Sequence, residues 1–380
     1  MHPGVRRYLM LALAGALACD TALAAAQAPP HPIPDSIADL GALVARLSDA
    51  GGYFDTDNLI SNERGYQQVL GAMDRLNVRG GAYIGVGPDQ NYTYIANTLP
   101  RIAFVVDIRR DNMLEHLLFK ALFAAASNRA EYLALWTGRP VPANVAWYAN
   151  RSIDEIVAWL DSTPATPASV ARARTSVDGQ LVRSGIPLSA KDVATITRFH
   201  DAFMAAGLWL QFTTDGRSPR PYYPTLRQLV LEHDASGQRR GYLASEAGFQ
   251  LIKSLHRRNR IVPVTGDLAG PHTLSGIGSY LAEHGERVSA FYVSNVEDYL
   301  IRDGTFASYV AGVRALPRDT NAVIIRSYFG GGMGHPESTP AYHATQLLQR
   351  MDRFVADGGL AGVTRYRDLV VRDYVPLRQP

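Results

Sequence analysis

Short apolar runs alternate with longer segments of helical periodicity in two parts of the chain. In the first part the runs 82–86 and 102–106 are each followed by a turn of glycine or polar residues. In the second part the runs 260–265, 288–293 and 321–325 have the same form. Continuous apolar runs of this length, separated by helical segments, are typical of strands buried in a parallel sheet. The pattern therefore predicts five strands of an α/β fold.

Helical spacing predicts the elements between these strands. An N-terminal lead helix is expected over Ile37–Leu47, and Ser61-Asn62-Glu63 is expected to cap a second helix that runs to Leu76. A helix from about Tyr92 follows the first strand, and one long apolar helix is expected over Met113–Trp136. Between the second and third strands, residues 141–255 are expected to be mostly helical, with Leu208–Phe212 as a candidate strand.

These elements together predict a Rossmann-like, doubly wound, mostly parallel sheet with helices on both faces. The fold would have a helical N-terminal lead and a mostly helical insertion. The expected boundaries are a signal peptide at 1–24, a linker and lead helix at 25–52, and the first half of the Rossmann-like domain at 53–140. The insertion would occupy 141–255, and the second half with a C-terminal tail 256–380.

The N-terminal residues follow the order of a secretory signal peptide. Arg6 and Arg7 precede an apolar run, Tyr8–Ala18, and Ala22-Leu23-Ala24 supplies small residues before a cleavage site at Ala25. This predicts export to the periplasm or the medium. The chain's single cysteine, Cys19, follows Ala16-Leu17-Ala18, which leaves open a membrane-anchored lipoprotein with a lipid on Cys19.

Composition narrows the class of partner. The chain has 380 residues and a net charge of +3, and its Lys and Arg residues are scattered along the sequence. Neither a nucleic acid nor an anionic membrane surface is indicated by such a balance. A small-molecule ligand is the partner that the fold predicts.

Chemistry-bearing residues follow the predicted strands. Parallel strands bring their carboxyl ends to one edge of a sheet, where ligands of open α/β folds bind. The strand ends carry Gly85 and Gly87 after strand one, Asp107 after strand two, Asp267 after strand three, Ser294 and Asn295 after strand four, and Arg326 and Ser327 after strand five. The sequence predicts one ligand cleft at this edge.

This arrangement resembles class I S-adenosylmethionine-dependent methyltransferases. The resemblance implies that the glycine turn wraps the cofactor, that Asp107 holds its ribose, that Asp267 faces its adenine, and that Ser294 and Asn295 meet the acceptor. The residues implied to bind the cofactor are Gly85, Gly87, Asp89, Gln90, Asn91, Asp107, Arg109, Asp267, Ser294 and Asn295. The resemblance assigns no catalytic residue and implies no metal.

The chain resembles more closely a family of uncharacterised bacterial proteins with that methyltransferase-like fold. The stretches that carry this likeness are 61–66, 85–95, 107–112, 242–246, 263–267 and 291–297.

Two departures weigh against a simple transferase. Asp89 stands where the methyltransferase loop usually has a third glycine, and Tyr83 stands where an acid is usual. S-adenosylmethionine is also a cytosolic cofactor, which an exported protein would not meet. The expected function is therefore an exported protein with a ligand cleft and a drifted, non-catalytic binding role. The alternatives are an S-adenosylmethionine-dependent methyltransferase and, more distantly, an extracytoplasmic hydrolase.

Other residues allow two interpretations each. Arg109 and Arg110 can bind an anionic group of the ligand, or they can pair with nearby acids such as Asp111, Glu115 or Glu63. His116 is expected to be a buried histidine bonded to backbone. His335, Glu337 and His343 include ligand types for zinc, but their spacing matches no metal motif.

Overall fold

The structure is a computed structural model. It describes residues 31–148, 150–215, 217–330, 334–340, 342–358 and 360–378. The predicted signal peptide, its cleavage site and Cys19 lie outside these residues. Within the described ranges, no helix combines the length and the apolar character that crossing a membrane requires.

Six strands form one sheet, which confirms the predicted mixed α/β fold. They are β1 Ala82–Val86, β2 Ile102–Asp107, β3 Ile261–Thr265, β4 Val288–Ser294, β5 Arg318–Tyr328 and β6 Thr345–Arg350. Their spatial order is β3-β2-β1-β4-β5-β6. The first five strands are parallel to their neighbours, whereas β6 runs antiparallel to β5.

The strand order reverses between β1 and β4. From β1 the chain builds β2 and β3 on one side, and it then returns to build β4, β5 and β6 on the other. Because the connections that leave β1 and β4 run in opposite directions, a crevice opens beyond their carboxyl ends. Ile84 of β1 lies opposite Phe291 of β4, and both are fully buried. The crevice therefore lies above a fully buried part of the core.

Sixteen helices surround the sheet in the described part of the chain. They are α1 Leu40–Leu47, α2 Leu70–Arg75, α3 Gln90–Thr98, α4 Arg110–Ala125, α5 Arg129–Trp136, α6 Val145–Tyr148, α7 Ile153–Ser162, α8 Pro167–Leu181, α9 Ala190–Ala206, α10 Leu226–Val230, α11 Glu246–Arg257, α12 Thr273–Glu283, α13 Val296–Arg302, α14 Phe306–Ala315, α15 Met351–Val355 and α16 Tyr366–Val370. The nearly all-round apolar α4 packs on β2 and β3 and also contacts α8, α9 and α11. Eleven of its sixteen residues are buried, as its apolar composition predicts.

Three sequence expectations about helices and strands are wrong. The long helix is divided at residues 126–128, because the Asn128 side chain caps a new helix by accepting hydrogen bonds from the amides of Ala130 and Glu131. The second helix begins at Leu70, so the segment at Ser61 caps no helix. Residues 208–212 contain the end of a 3₁₀ turn and one isolated bridge residue, and no strand.

Strand β6 was not expected, and β5 is longer than expected. Thr345, Gln346 and Gln349 of β6 are polar, although all three are buried. A strand with so many amide and hydroxyl side chains lacks the apolar pattern from which a buried strand is predicted. Residues Arg326 and Ser327 lie inside β5 and not beyond its end.

Candidate functional site

A cavity of about 340 Å³ opens at the carboxyl edge of the sheet, where the strand order reverses. Its floor is formed by the ends of β1, β2, β3 and β4, and segments 53–63 and 292–305 contribute its walls. Ligand pockets of proteins commonly have volumes of about 300–1,000 Å³ and lie at such switch points. This cavity, which we call the edge cleft, is the candidate ligand site.

Seven of the ten predicted ligand residues line the edge cleft. These seven are Gly87, Gln90, Asp107, Arg109, Asp267, Ser294 and Asn295. Gly85, Asp89 and Asn91 do not line it. These seven residues meet in one cleft because parallel strands bring residues that are distant in sequence to one edge of the sheet.

Gly85 and Asn91 hold the glycine turn in place from beneath. Asn91 donates hydrogen bonds from Nδ2 to the carbonyl oxygens of Val86 and Pro88, at 2.9 and 2.7 Å, and its Oδ1 accepts one from the Tyr83 hydroxyl at 2.8 Å. A Cβ atom on Gly85 would stand 2.0 Å from Asn91 Oδ1. Glycine at position 85 therefore makes room for Asn91, and the expected ligand contact is replaced by a scaffolding contact.

Gly87 forms the turn itself. Its φ of +82° is in the left-handed region that glycine favours. The carbonyl oxygen of Gly87 lies 2.9 Å from Nε2 of His116, whose Nδ1 lies 2.8 Å from the Tyr92 hydroxyl. Burial lowers the pKa of His116 to about 4, so the ring is neutral near pH 7. The expected role of His116, a buried histidine bonded to backbone, is confirmed.

Asp89 is directed away from the edge cleft. Its carboxylate is buried, and Oδ2 accepts a hydrogen bond from the Tyr242 hydroxyl at 3.0 Å. Burial raises the pKa of Asp89 to about 7. The resemblance implies that Asp89 binds the cofactor, but α3 begins directly after Asp89 and its side chain is bonded to Tyr242, outside the edge cleft.

Asp107 is already engaged by Arg109. The Arg109 amide and Nε donate to Asp107 Oδ1 at 2.9 and 3.1 Å, and Nη2 donates to Oδ2 at 2.9 Å. Nη1 of Arg109 also donates to the carbonyl oxygens of Thr56 and Asp57 at 2.5 and 2.7 Å. A carboxylate offers about four acceptor positions, and three are used here. Arg109 thus fastens the 56–57 loop to the end of β2.

The neighbouring Arg110 turns outward and pairs with Asp192 of α9 at 2.8 Å. Neither arginine forms its ion pair with the acids expected from the sequence. The actual partners are Asp107, two residues from Arg109, and Asp192, which is distant in sequence from Arg110 and therefore invisible to a local pattern.

Glu63 is the main residue of the edge cleft that the sequence interpretation missed. It is buried, and Oε2 accepts hydrogen bonds from the Tyr292 hydroxyl at 2.7 Å and from Gln346 Nε2 at 3.1 Å. The hydroxyl groups of Ser294 and Ser327 also donate to its two oxygens. Among the residues that the structure describes, no cation forms an ion pair with Glu63. The available signal is the polar stretch at Ser61, which the sequence predicts to be a helix cap.

The Gln90 side chain is held at the cleft wall by its amide nitrogen. Its Nε2 donates to the Tyr292 hydroxyl at 3.0 Å, while Oε1 is buried and has no hydrogen-bond partner within the described part of the chain. Among the described residues, the Asp267 side chain accepts only the backbone amide of Ala269, at 2.8 Å, through Oδ1. A carboxylate offers about four acceptor positions, so Asp267 keeps acceptor capacity at the cleft.

The edge cleft is acidic and partly aromatic. Its described lining has four carboxylates and one cation, Arg109; the carboxylates are Glu63, Asp107, Asp267 and Asp303. The aromatic residues are Tyr53, Phe54, Phe212, Tyr292 and Tyr299. Tyr53 stands at the mouth with 78% of its surface exposed. Acidic groups with aromatic faces favour neutral hydroxyl-bearing or cationic ligands over anions.

The described lining contains no histidine, so Ser294 has no imidazole beside it to act as a base. His335 instead lies 3.2 Å from the Val370 carbonyl oxygen, and His343 stacks on Tyr222. Across the described ranges, no group of three His, Cys, Asp or Glu side chains is arranged to hold a metal ion.

A family model described as "Domain of unknown function (DUF7790)" matches residues 58–184 and 216–373. The chain belongs to this family. The matched segments include all six strands and every predicted ligand residue, together with Glu63. The interval between the segments holds α9. A comparison with curated proteins found no match.

Proposed function

We propose that this protein binds a small molecule in the edge cleft and that the cleft serves binding without catalysis. The observation that carries the proposal is a ligand-sized cavity at the strand-order reversal, to whose wall Glu63 contributes a buried carboxylate with no ion-pair partner among the described residues. A buried charge costs stability unless a counter-charge compensates it.

The ligand that fits carries hydrogen-bond donors and a flat or apolar part. Asp267 presents carboxylate oxygens and Glu63 a negative charge, while Phe54 and Tyr299 form an edge-to-face pair with ring centroids 5.2 Å apart. A hydroxyl-rich or amine-bearing molecule would donate to the oxygens and rest its apolar part on the rings.

S-adenosylmethionine-dependent methyl transfer is the second candidate. It is favoured by the positive φ of Gly87 after β1 and by a carboxylate at the end of β2. The acid that would hold the ribose is bound by Arg109, however, and the charge of Asp89 lies outside the cleft. An extracytoplasmic hydrolase is the weakest candidate, since the described lining offers Ser294 no histidine.

Export is part of the proposal. It is supported by the basic, apolar and small residues of the first 24 positions, and a protein outside the cytosol would not meet S-adenosylmethionine. The lipoprotein alternative at Cys19 remains part of this proposal, and either route leads to the same side of the membrane.

Calorimetric titration separates the two main candidates. S-adenosylmethionine and S-adenosylhomocysteine are each titrated into the wild-type protein up to millimolar concentration. The binding role predicts no saturable heat for either compound. Saturable binding of both would favour the transferase and would contradict the proposal.

A thermal-shift screen then tests the chemistry of the cleft. Compounds of matched size are grouped as cationic, neutral hydroxyl-bearing and anionic, and the wild type is compared with Glu63→Gln. A ligand that binds only the folded state raises the melting temperature. The proposal predicts that cationic or neutral compounds raise it and that Glu63→Gln reduces the effect of cations. Shifts produced by anions alone would overturn it.

A further inference from the structure

A second cavity of about 210 Å³ lies between α4, α8 and α11, away from the edge of the sheet. Lys120 on its wall follows Arg110, the first residue of α4, by ten positions, which corresponds to roughly 15 Å along a helix. None of the residues that line this cavity lines the edge cleft. We call it the helix cavity.

Four cationic side chains surround the helix cavity, and no acid lines it. They are Lys120 on α4, Lys253 and Arg257 on α11, and Arg183 just after α8. Within the described ranges none of the four forms an ion pair, although most other arginines of the chain have a carboxylate partner. Glu131 and Glu246 lie near enough to act on Lys253, but no acid pairs with any of the four cations in the described ranges. Like charges that converge in this way repel one another, so their convergence indicates an anionic ligand.

The two lysines are fixed by hydrogen bonds to backbone carbonyl oxygens and one side-chain amide, but they keep donor capacity. Lys120 Nζ donates to Asn259 Oδ1 at 2.7 Å and to the His256 carbonyl oxygen, and Lys253 Nζ donates to the Phe123 carbonyl oxygen at 2.9 Å and to that of Ala126. An ammonium group has three N–H donors, so each lysine retains one. Burial lowers the pKa of Lys120 to about 8 and lowers that of Lys253.

His256 belongs to the wall of the helix cavity, and its ring packs against Phe123 and Tyr92 at centroid distances of 5.0 and 5.3 Å. The residue is only 3% exposed, and burial and the charge of Lys120 lower the pKa of its ring, which is therefore neutral. Capping of helix ends explains the two lysine contacts, but it does not explain why two further cations, Arg183 and Arg257, converge on the same cavity.

The rest of the wall is apolar. The apolar lining residues include Leu117, Ala121 and Leu181, and the polar residues Ser184 and Gln180 also line the cavity. The volume corresponds to roughly seven water-sized groups at about 30 Å³ each, which is smaller than a nucleotide site. The occupant that fits is short, with one anionic head and an apolar body.

We infer that the helix cavity binds a short-chain organic carboxylate, distinct from the ligand of the edge cleft. Its carboxylate accepts hydrogen bonds from Lys120 and Lys253, and its hydrocarbon part packs on Leu117 and Leu181. Arg183 and Arg257, which are exposed, attract the anion at the mouth.

Calorimetric titration of the full chain with hexanoate tests the inference. Three other compounds are compared with hexanoate. Hexylammonium carries the opposite charge, hexanol carries no charge, and sulfate is an anion without an apolar part. Saturable binding is expected for hexanoate, with hexylammonium and hexanol not binding and sulfate at least about tenfold weaker. Equal binding of hexanol or hexylammonium, tighter binding of sulfate, or no binding of hexanoate at millimolar concentration would each overturn it.

Matched variants locate the site. The double variant Arg183→Gln with Arg257→Gln removes two exposed charges at the mouth, and Arg258→Gln removes a neighbouring exposed charge that does not line the cavity. The double variant is expected to weaken hexanoate binding about tenfold, and Arg258→Gln less than about twofold. Because all three side chains are exposed, the melting temperatures should stay close to that of the wild type. Equal effects of the double variant and the control would contradict the location.

Discussion

Arg109 binds the carboxylate of Asp107 through two side-chain nitrogens, with Nε 3.1 Å from Oδ1 and Nη2 2.9 Å from Oδ2. Only 7% of the Arg109 side chain and 12% of the Asp107 side chain are exposed. The acid that the sequence assigns to a ribose is therefore also a structural counter-charge. A ligand that uses Asp107 must share it with Arg109.

Asp107→Ala is expected to destabilise the fold. It leaves the buried guanidinium of Arg109 without its counter-charge, and removing one partner of a buried pair costs about 3–5 kcal/mol. Denaturant unfolding followed by circular dichroism measures the loss.

Asp111→Ala is the matched control for that change. Asp111 lies in the first turn of α4, 44% of its side chain is exposed, and it pairs with Arg198 at 3.7 Å. Exposed pairs of this kind contribute less than about 1 kcal/mol. Similar losses of unfolding free energy in the two variants would show that the pair between Asp107 and Arg109 stabilises the fold no more than an exposed pair does.

Two glycine substitutions should change stability in opposite directions. Gly85→Ala places a Cβ 2.0 Å from Asn91 Oδ1 and should lower the free energy of unfolding by about 1–3 kcal/mol. Gly179→Ala lies within α8 with no atom within 4 Å of its Cβ, and should raise that free energy by about 0.5–1 kcal/mol. Chemical denaturation measures both. A neutral effect at position 85 would contradict its role in making room for Asn91.

Asp89→Asn should change the pH dependence of stability. The pKa of Asp89 is raised from 3.8 to about 7 by burial, so the folded protein keeps a proton that the unfolded chain has released. The free energy of unfolding therefore falls by about 1.4 kcal/mol per pH unit as the pH rises between these two values. Asparagine carries no such proton, so the variant should lack this loss.

The measurement is the difference between wild type and variant, because His116 has an effect of opposite sign. Its pKa falls from 6.5 to about 4, so stability is lost as the pH drops through that interval, in both proteins. The subtracted curve isolates Asp89. A flat difference between pH 5 and pH 7 would show that Asp89 is ionised in the folded protein.

Export is tested by the N-terminus of the mature protein. Cleavage after Ala24 predicts that sequencing begins at Ala25, and lipoprotein processing predicts a blocked N-terminus at Cys19. Recovery of intact Met1 in a cytosolic fraction would contradict export, and it would strengthen the methyltransferase alternative.

The sequence predicts the parallel part of the sheet well. Strand β1 has the predicted bounds, Ala82–Val86, and β2, β3 and β4 each differ from the expected run by one residue. Buried parallel strands are apolar on both faces, and this pattern is strong enough to be visible without neighbours. Strand β6 could not be predicted from the sequence, because it carries polar residues. Its buried Gln346 and Gln349 form hydrogen bonds with Glu63 and Arg326, which are distant in sequence.

The edge cleft could be predicted only in outline. The rule that strand ends share one edge brings Asp107, Asp267 and Asn295 together from the sequence alone. Side-chain direction depends on contacts that no local pattern contains. Asp89 turns toward Tyr242, Asn91 toward the glycine turn, and Glu63 reaches the cleft from a loop with no strand before it.

Native mass spectrometry of the purified mature protein tests the central claim most directly. The account predicts a co-purified small molecule, seen as a mass increment on the wild type. Asn295→Trp, which fills part of the edge cleft, should remove the increment, whereas Arg258→Gln should retain it, with both variants folded by circular dichroism. An increment that survives Asn295→Trp, or a wild-type protein that carries no small molecule and takes up none from the charge-grouped compounds, would contradict the claim that the edge cleft binds a ligand.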